Sequence, residues 1–170
     1  MIAEEIIQKF KENGYETIIK EKEAGVKKKA KKVSIWVNVD REKIREAIEL
    51  MINFSADFPH FSIISASDLG KDIELNYHFT VDYGKELEEK IVSLKVILPK
   101  DDLRIKSITT LIPSAIFSER EIKEMVGVEI EEIPDERHMF LTEDFPPGIY
   151  PWRRDETSPK ETNKLYENWR

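Results

Sequence analysis

Asp72-Ile73-Glu74-Leu75-Asn76-Tyr77-His78-Phe79-Thr80-Val81-Asp82 alternates apolar and polar residues without a break. In an extended chain successive side chains point to opposite faces. Ile73, Leu75, Tyr77, Phe79 and Val81 therefore share one face, and Glu74, Asn76, His78, Thr80 and Asp82 the other. One face suits a core and the other suits water or a partner, which is the pattern of an antiparallel strand. Residues 61–67 supply its hairpin mate across the turn Asp68-Leu69-Gly70-Lys71, and residues 91–98, ended by Pro99, supply a further strand.

Upstream of this meander, residues 3–13 predict a helix with Ile6, Ile7 and Phe10 on one buried face and a stop at Asn13-Gly14. Tyr15 to Ile19 reads as a short strand and Val33-Ser34-Ile35-Trp36-Val37 as another. Between them, residues 20–32 are highly charged and read as a solvated hairpin loop. Its run Lys27-Lys28-Lys29-Ala30-Lys31-Lys32 could also face nucleic acid or acidic lipid, but no aromatic residues are interleaved with the lysines. Asp40 is placed to cap a helix whose Ile44, Ala47, Ile48, Met51 and Ile52 form an apolar stripe. The expected fold class is α+β, a mainly antiparallel sheet with helices packed on one face.

Downstream, Ser118-Glu119-Arg120-Glu121-Ile122-Lys123-Glu124-Met125-Val126-Gly127 predicts a short, heavily charged helix. Ser118 and Glu121 have the spacing of a capping box, although a start one turn earlier at Ser114, after Pro113, fits equally well. Glu119–Lys123 and Arg120–Glu124 are spaced for surface pairs, Ile122, Met125 and Val126 for burial, and Gly127 for a left-handed stop. Beyond about Ile133 the character changes. Pro134, Pro146, Pro147, Pro151 and Pro159 limit regular structure, while Phe140, Phe145, Tyr150, Trp152, Tyr166 and Trp169 make the segment richer in aromatics than a disordered tail. The division expected is an α+β domain over 1–130 and an extended, proline- and aromatic-rich tail over 131–170 that lies on a partner.

Composition narrows the function. The chain has 170 residues, 36% charged and 40% hydrophobic, and a net charge of −7, which argues for a globular acidic domain and against a general nucleic-acid binder. It has no cysteine, so thiolate zinc sites and thiolate-held iron–sulfur clusters are excluded. No apolar run reaches the roughly 18 residues of a membrane span, and Met1-Ile2-Ala3-Glu4-Glu5 lacks the layout of a signal peptide. A cytoplasmic location is expected. The abundance of Lys, Glu and Ile is of the kind found in hyperthermophiles.

No catalytic constellation stands out. His60, His78 and His138 have no metal-ligand spacing, and His78, on the polar face of its strand, is expected to be exposed. No nucleophile elbow, phosphate loop or dinucleotide fingerprint is present. Glu131-Glu132 and Asp101-Asp102 sit in loop-like contexts and read as solvated charge. Pro151-Trp152-Arg153-Arg154-Asp155 offers planar arginine donors for carboxylates and a tryptophan suited to anchoring an interface.

Taken in order, these runs resemble the C-type hydrophilic subunit of respiratory complex I and of the related membrane-bound nickel–iron hydrogenases. That family carries Glu-Arg-Glu-x-x-Asp-x-x-Gly, then Pro-Asp-x-x-Arg, then Pro-Leu-Arg-Lys-Asp. The counterparts here are Glu119-Arg120-Glu121 with Glu124 and Gly127, then Pro134-Asp135-Glu136-Arg137, then Pro151-Trp152-Arg153-Arg154-Asp155. The run Ser107–Ala115 and the Tyr77-His78 strand are similar too. Glu124 stands where the family usually has Asp, and the middle motif lacks its Gly-His and second Arg, which points to a divergent, archaeal-type branch.

The resemblance implies a cofactor-free structural subunit, peripheral on the inner face of the cell membrane. Its implied partners are the large D-type subunit (49-kDa-like or hydrogenase large-subunit-like) and a neighbouring iron–sulfur subunit. It implies no nucleic acid and membrane contact only through the complex. It also implies that Glu119, Arg120, Glu121, Glu124, Gly127, Asp135, Arg137, Trp152, Arg153, Arg154 and Asp155 serve the subunit interface, by ion pairs within the chain or across it. The alternative is an independent nucleic-acid or protein-binding module using Lys27–Lys32.

Overall fold

The computed structural model describes residues 2–24, 30–85 and 88–159. It is an α+β fold built on a mixed five-stranded sheet and three helices, with a small parallel pair of strands beside them. In chain order the elements are α1 (Ala3–Glu12), β1 (Glu16–Ala24), β2 (Ala30–Asn38), α2 (Ile44–Phe54), β3 (His60–Asp68), β4 (Asp72–Val81), β5 (Lys90–Pro99), β6 (Arg104–Lys106), α3 (Ile116–Val126) and β7 (Glu129–Glu131). The large sheet runs β1-β2-β5-β4-β3.

The alternating strand sits where its pattern demands. Ile73, Leu75, Tyr77, Phe79 and Val81 are all buried and pack with Val92, Leu94, Val96 and Leu98 of β5 and Ile35 and Val37 of β2. The same core takes Ile6 and Phe10 of α1, Ile44, Ala47, Ile48 and Met51 of α2, and Ile122 and Val126 of α3. Burial of these stripes is the main force holding the layers together, at about 25 cal/mol per Å² of apolar surface. On the opposite sheet face Ile18, Ile63, Ile91 and Ile97 remain exposed.

Four expectations change. The sheet is mixed because β5 pairs in parallel with β2, Ser34 to Asn38 opposite Ile91 to Lys95, after the chain crosses over through α2 and the β3–β4 hairpin. The strands β1 and β2 extend into the charged stretch read as loop, pairing antiparallel from Glu16↔Asn38 to Ala24↔Ala30. An edge hairpin is held by its backbone ladder, so charged side chains do not prevent it. Residues 25–29, which include Lys27 to Lys29 of the lysine run, lie outside the described residues, as do the side chains of residues 23, 24 and 30–32.

The other two concern helix starts. Asp40 makes no side-chain cap; a 3-10 turn, Arg41–Lys43, precedes α2 and is closed by the Lys43 amide on the Asp40 carbonyl at 2.9 Å. Ser118 is likewise not a cap. Of the two starts the sequence allows, the earlier one holds: a 3-10 turn at Pro113–Ala115 leads into the helix and leaves Ser118 buried inside α3. Proline tolerates a first-turn position because its missing N–H has no partner there anyway. Gly127 does end α3 in the left-handed region, at φ 71° and ψ 33°.

Candidate docking surface

The charged helix α3 is anchored at its start by a buried carboxylate. Glu119 is only 1% exposed. Its Oε2 accepts from the Ser107 hydroxyl at 2.7 Å and its Oε1 from the Ile108 amide at 2.6 Å. Burial raises the Glu119 carboxyl above its usual range, against the two hydrogen bonds and the Arg45 charge that favour the ionised form. Arg45 closes the same corner, donating from Nε to the Ser107 carbonyl at 2.6 Å and pairing with Glu132 at 2.8 Å. The expected surface pair Glu119–Lys123 is therefore absent; Lys123 pairs instead with Glu136 at 2.6 Å.

One turn on, Arg120 and Glu124 also turn away from each other. Arg120 donates from Nε to the Arg137 carbonyl at 2.8 Å and from Nη2 to the His138 carbonyl at 2.9 Å, and it pairs with Asp135 at 3.4 Å. Glu124 accepts from the amides of Met139 and, at 3.0 Å, Phe140, with the His138 ring 3.1 Å away. Asp135 is chelated by Arg137, whose guanidinium and amide, helped by Arg120, hold the Asp135 carboxyl well below the usual carboxylate range. Glu121 lies half-buried on α3.

The last turn of α3 holds the Pro151–Asp155 run. The Trp152 amide donates to the Met125 carbonyl at 3.0 Å, and Arg153 Nε donates to the Val126 carbonyl at 2.8 Å while its guanidinium lies 4.4 Å from the centre of the Tyr150 ring. These bonds satisfy carbonyls that a helix end otherwise leaves open. The Tyr150 ring covers Gly127 so closely that a Cβ at that position would lie far inside van der Waals contact of the ring's Cζ. Gly127 is thus required twice, by its φ and by this approach.

A second attachment joins the run to the main sheet. Lys100, following β5, pairs with Asp68 at the end of β3 at 2.9 Å and also with Asp155. The Arg154 amide donates to Asp68 Oδ2 at 2.8 Å. Burial pushes the Asp68 carboxyl up, but the Arg154 amide, Lys100 and the Gly70 amide outweigh it and hold the carboxyl below its usual range. Asp155 is held lower still by Lys100 and Thr157.

Sequence reasoning named most of the residues in this bonded network, though as interface residues, and missed Lys100, Asp68 and Ser107. Their partners are 55, 86 and 12 positions away respectively, so no local spacing marks them. It also misjudged His78, which is half-buried between the Ser65 and Ser93 hydroxyls at 2.8 and 2.9 Å, with its basicity lowered by burial. Asp102 and Glu132 are surface ion-pair partners of Arg41 and Arg45. A cleft of about 600 Å³ lies between α3 and residues 136–150, lined by charged side chains such as Arg120 and Glu124 and by Phe145 and Tyr150. Among the described residues no three His, Asp or Glu side chains converge as metal ligands, and no helix is long and apolar enough to cross a membrane.

Two interlocked motifs, Glu119 to Gly127 and Pro151 to Asp155, thus form one structural unit. The family model for the respiratory-chain NADH dehydrogenase 30 kDa subunit matches residues 37–162, which takes in all of it. The chain belongs to this family. It is similar to the membrane-bound hydrogenase subunit beta of Pyrococcus furiosus, 30% identical over 156 residues covering 92% of this chain and 84% of that one. It is also similar to hydrogenase-4 component G of Escherichia coli, at 34% over 84 residues, but there the match takes in 48% of this chain and only 15% of the relative. Among solved structures, a chain of the membrane-bound sulfane sulfur reductase, an archaeal respiratory membrane complex, shares the 30 kDa subunit fold. Its TM-score is 0.68 at 24% identity, covering 89% of this chain and 83% of that chain.

Proposed function

We propose that this chain is a structural subunit of a membrane-associated oxidoreductase complex of the hydrogenase type, supplying no redox group itself. In this reading it packs against the large D-type subunit, beside an iron–sulfur subunit of the same peripheral arm. It meets the membrane's cytoplasmic face only through that complex. The observation that carries the reading is the near full-length likeness to the Pyrococcus hydrogenase subunit beta, which spans 92% of this chain and 84% of the relative. Likeness over most of both chains favours a like place in a like assembly.

Two further observations support it. In component G the matched stretch is 15% of one longer polypeptide, so a module of this kind tolerates permanent attachment to a larger hydrogenase component. The residues here include no cysteine with which to ligate an iron–sulfur cluster. Residues 131–170 then carry the docking surface, of which 131–159 are described and are held by the α3 signature. Affinity purification of the tagged chain from native membranes in mild detergent tests this. Comigration with a hydrogenase-type large subunit is expected, and a chain that runs alone after gentle extraction overturns the reading.

A further inference from the structure

Five of the signature residues, Glu119, Arg120, Glu124, Arg153 and Asp155, are occupied inside the chain. Glu119 holds Ser107 and Ile108, Arg120 and Glu124 hold residues 137–140, Arg153 holds Val126, and Asp155 holds Lys100. Their side chains have little left to offer a partner; that of Arg153 is 10% exposed. What they fix in place is different. Phe140 is 59% exposed and Trp152 45%, yet the amide of each is bonded to α3, at Glu124 and at the Met125 carbonyl. Backbones pinned at adjacent helix positions with side chains turned outward are ordered in advance, which lowers the entropy cost of binding.

Arg154 follows the same rule. Its amide is tied to Asp68, while its side chain is exposed. Arg120, Lys123, Arg137, Arg153 and Lys100 each have an acceptor, whereas the Arg154 guanidinium has none among the described residues. On a chain of net charge −7, the exposed Arg154 guanidinium, two residues from the outward Trp152, is a cation that no carboxylate among the described residues neutralises. Arginine recognises carboxylates through paired donors, and tryptophan and arginine are the residue types most often found to dominate interfaces.

We infer that Phe140, Trp152 and Arg154 are the partner-contacting residues, and that the partner is a protein surface presenting a carboxylate beside an apolar socket. This rests on the subunit reading and separates the internal struts of the signature from three outward contacts, of which Phe140 lies outside the signature. Because the chain has no cysteine, Trp152→Cys carries its only thiol, and Ile18→Cys on the exposed sheet face serves as control.

In the isolated chain both thiols react with a maleimide. In the purified complex the thiol of Trp152→Cys reacts at least about tenfold more slowly, as expected of a side chain at the centre of an interface, and that of Ile18→Cys is unchanged. Arg154→Lys, treated with a carbodiimide, crosslinks to a carboxylate of the large subunit. Arg154→Glu lowers recovered complex without moving the melting midpoint of the isolated chain. Equal labelling of Trp152→Cys in an intact complex overturns the inference and leaves the subunit reading standing. Protection of that thiol in the isolated chain by anionic phospholipid vesicles overturns it in favour of a membrane surface. Recovery of the wild-type chain without any large subunit overturns both readings.

Discussion

Arg120 and Glu124, one turn apart on α3, hold the same loop by opposite ends of its peptide groups. Arg120 donates to the carbonyls of residues 137 and 138, and Glu124 accepts the amides of 139 and 140. A cation and an anion spaced as a helical pair have thus given up each other for a segment without helix or strand. Exposed helical pairs are worth only about 0.2–0.5 kcal/mol, whereas hydrogen bonds to charged groups contribute about 1.5–3 kcal/mol. The exchange favours the loop.

Replacing Glu124 with Ala should therefore release the loop before it unfolds the domain. We expect a loss of about 1–3 kcal/mol in thermal or denaturant unfolding, with hydrogen exchange accelerated first at the Met139 and Phe140 amides. Glu124→Asp, one methylene shorter, should lose less. Unchanged exchange at those two amides would show that the carboxylate does not hold them.

Glu119→Ala should be costlier and global. It leaves the Ile108 amide without its acceptor in a buried site and opens a cavity beside Ser107, a combination worth about 2–4 kcal/mol. Ser107→Ala should recover part of that loss in a double-mutant cycle, because the two side chains share a bond. Additive losses in chemical denaturation would count against the shared bond.

For Gly127→Ala, the left-handed conformation alone costs about 1–2 kcal/mol, and the new methyl must displace the Tyr150 ring. Limited proteolysis should then cut within residues 141–157 earlier than in the wild type. A variant that keeps both its melting point and its cleavage pattern would remove the tyrosine from this role.

Acid should loosen the same region through Asp68 and Asp155. Both carboxyls are lowered in the folded chain, so their contribution is complete above the unfolded value of about 3.9 and is lost as the pH falls through the lower folded values. Lys100 is shifted the other way: burial opposes its charge, but Asp155 and Asp68 prevail and raise it, so its part persists until the pH rises past that raised value. Glu119 has the opposite sign to the two aspartates, since its raised carboxyl gains stability as the pH drops from its folded value toward about 4.3. Asp155→Asn should accordingly flatten the acid limb of the stability curve measured by denaturant unfolding. An unaltered limb would assign acid sensitivity to other groups.

The parts of this molecule legible in the sequence are those whose signal is periodic. The β4 alternation and the α2 stripe Ile44, Ala47, Ile48 and Met51 declare their buried faces within ten residues or so. The left-handed stop at Gly127 was equally plain. Ser118 and the Pro113 turn offer two helix starts in the sequence; serine followed by glutamate three residues later is only a local pattern, and the Pro113 turn upstream sets the start. Glu119 misled because a charged residue near a helix start ordinarily points to water, and only the Ser107–Ile108 bend, brought close by the fold, makes it a buried acceptor. The parallel pairing of β2 with β5 and the Asp68–Lys100–Asp155 contacts depend on segments that no short window contains together.

Those last contacts make the placing of the C-terminal run depend on the completed sheet. Asp68 ends β3, Lys100 follows β5, and Asp155 lies in the third segment they join, so all three regions must be in place before Trp152 and Arg154 are held outward together. A nascent or damaged chain with an unfinished sheet has the same residues but not that arrangement. On the proposed docking, such a chain presents Trp152 and Arg154 out of place.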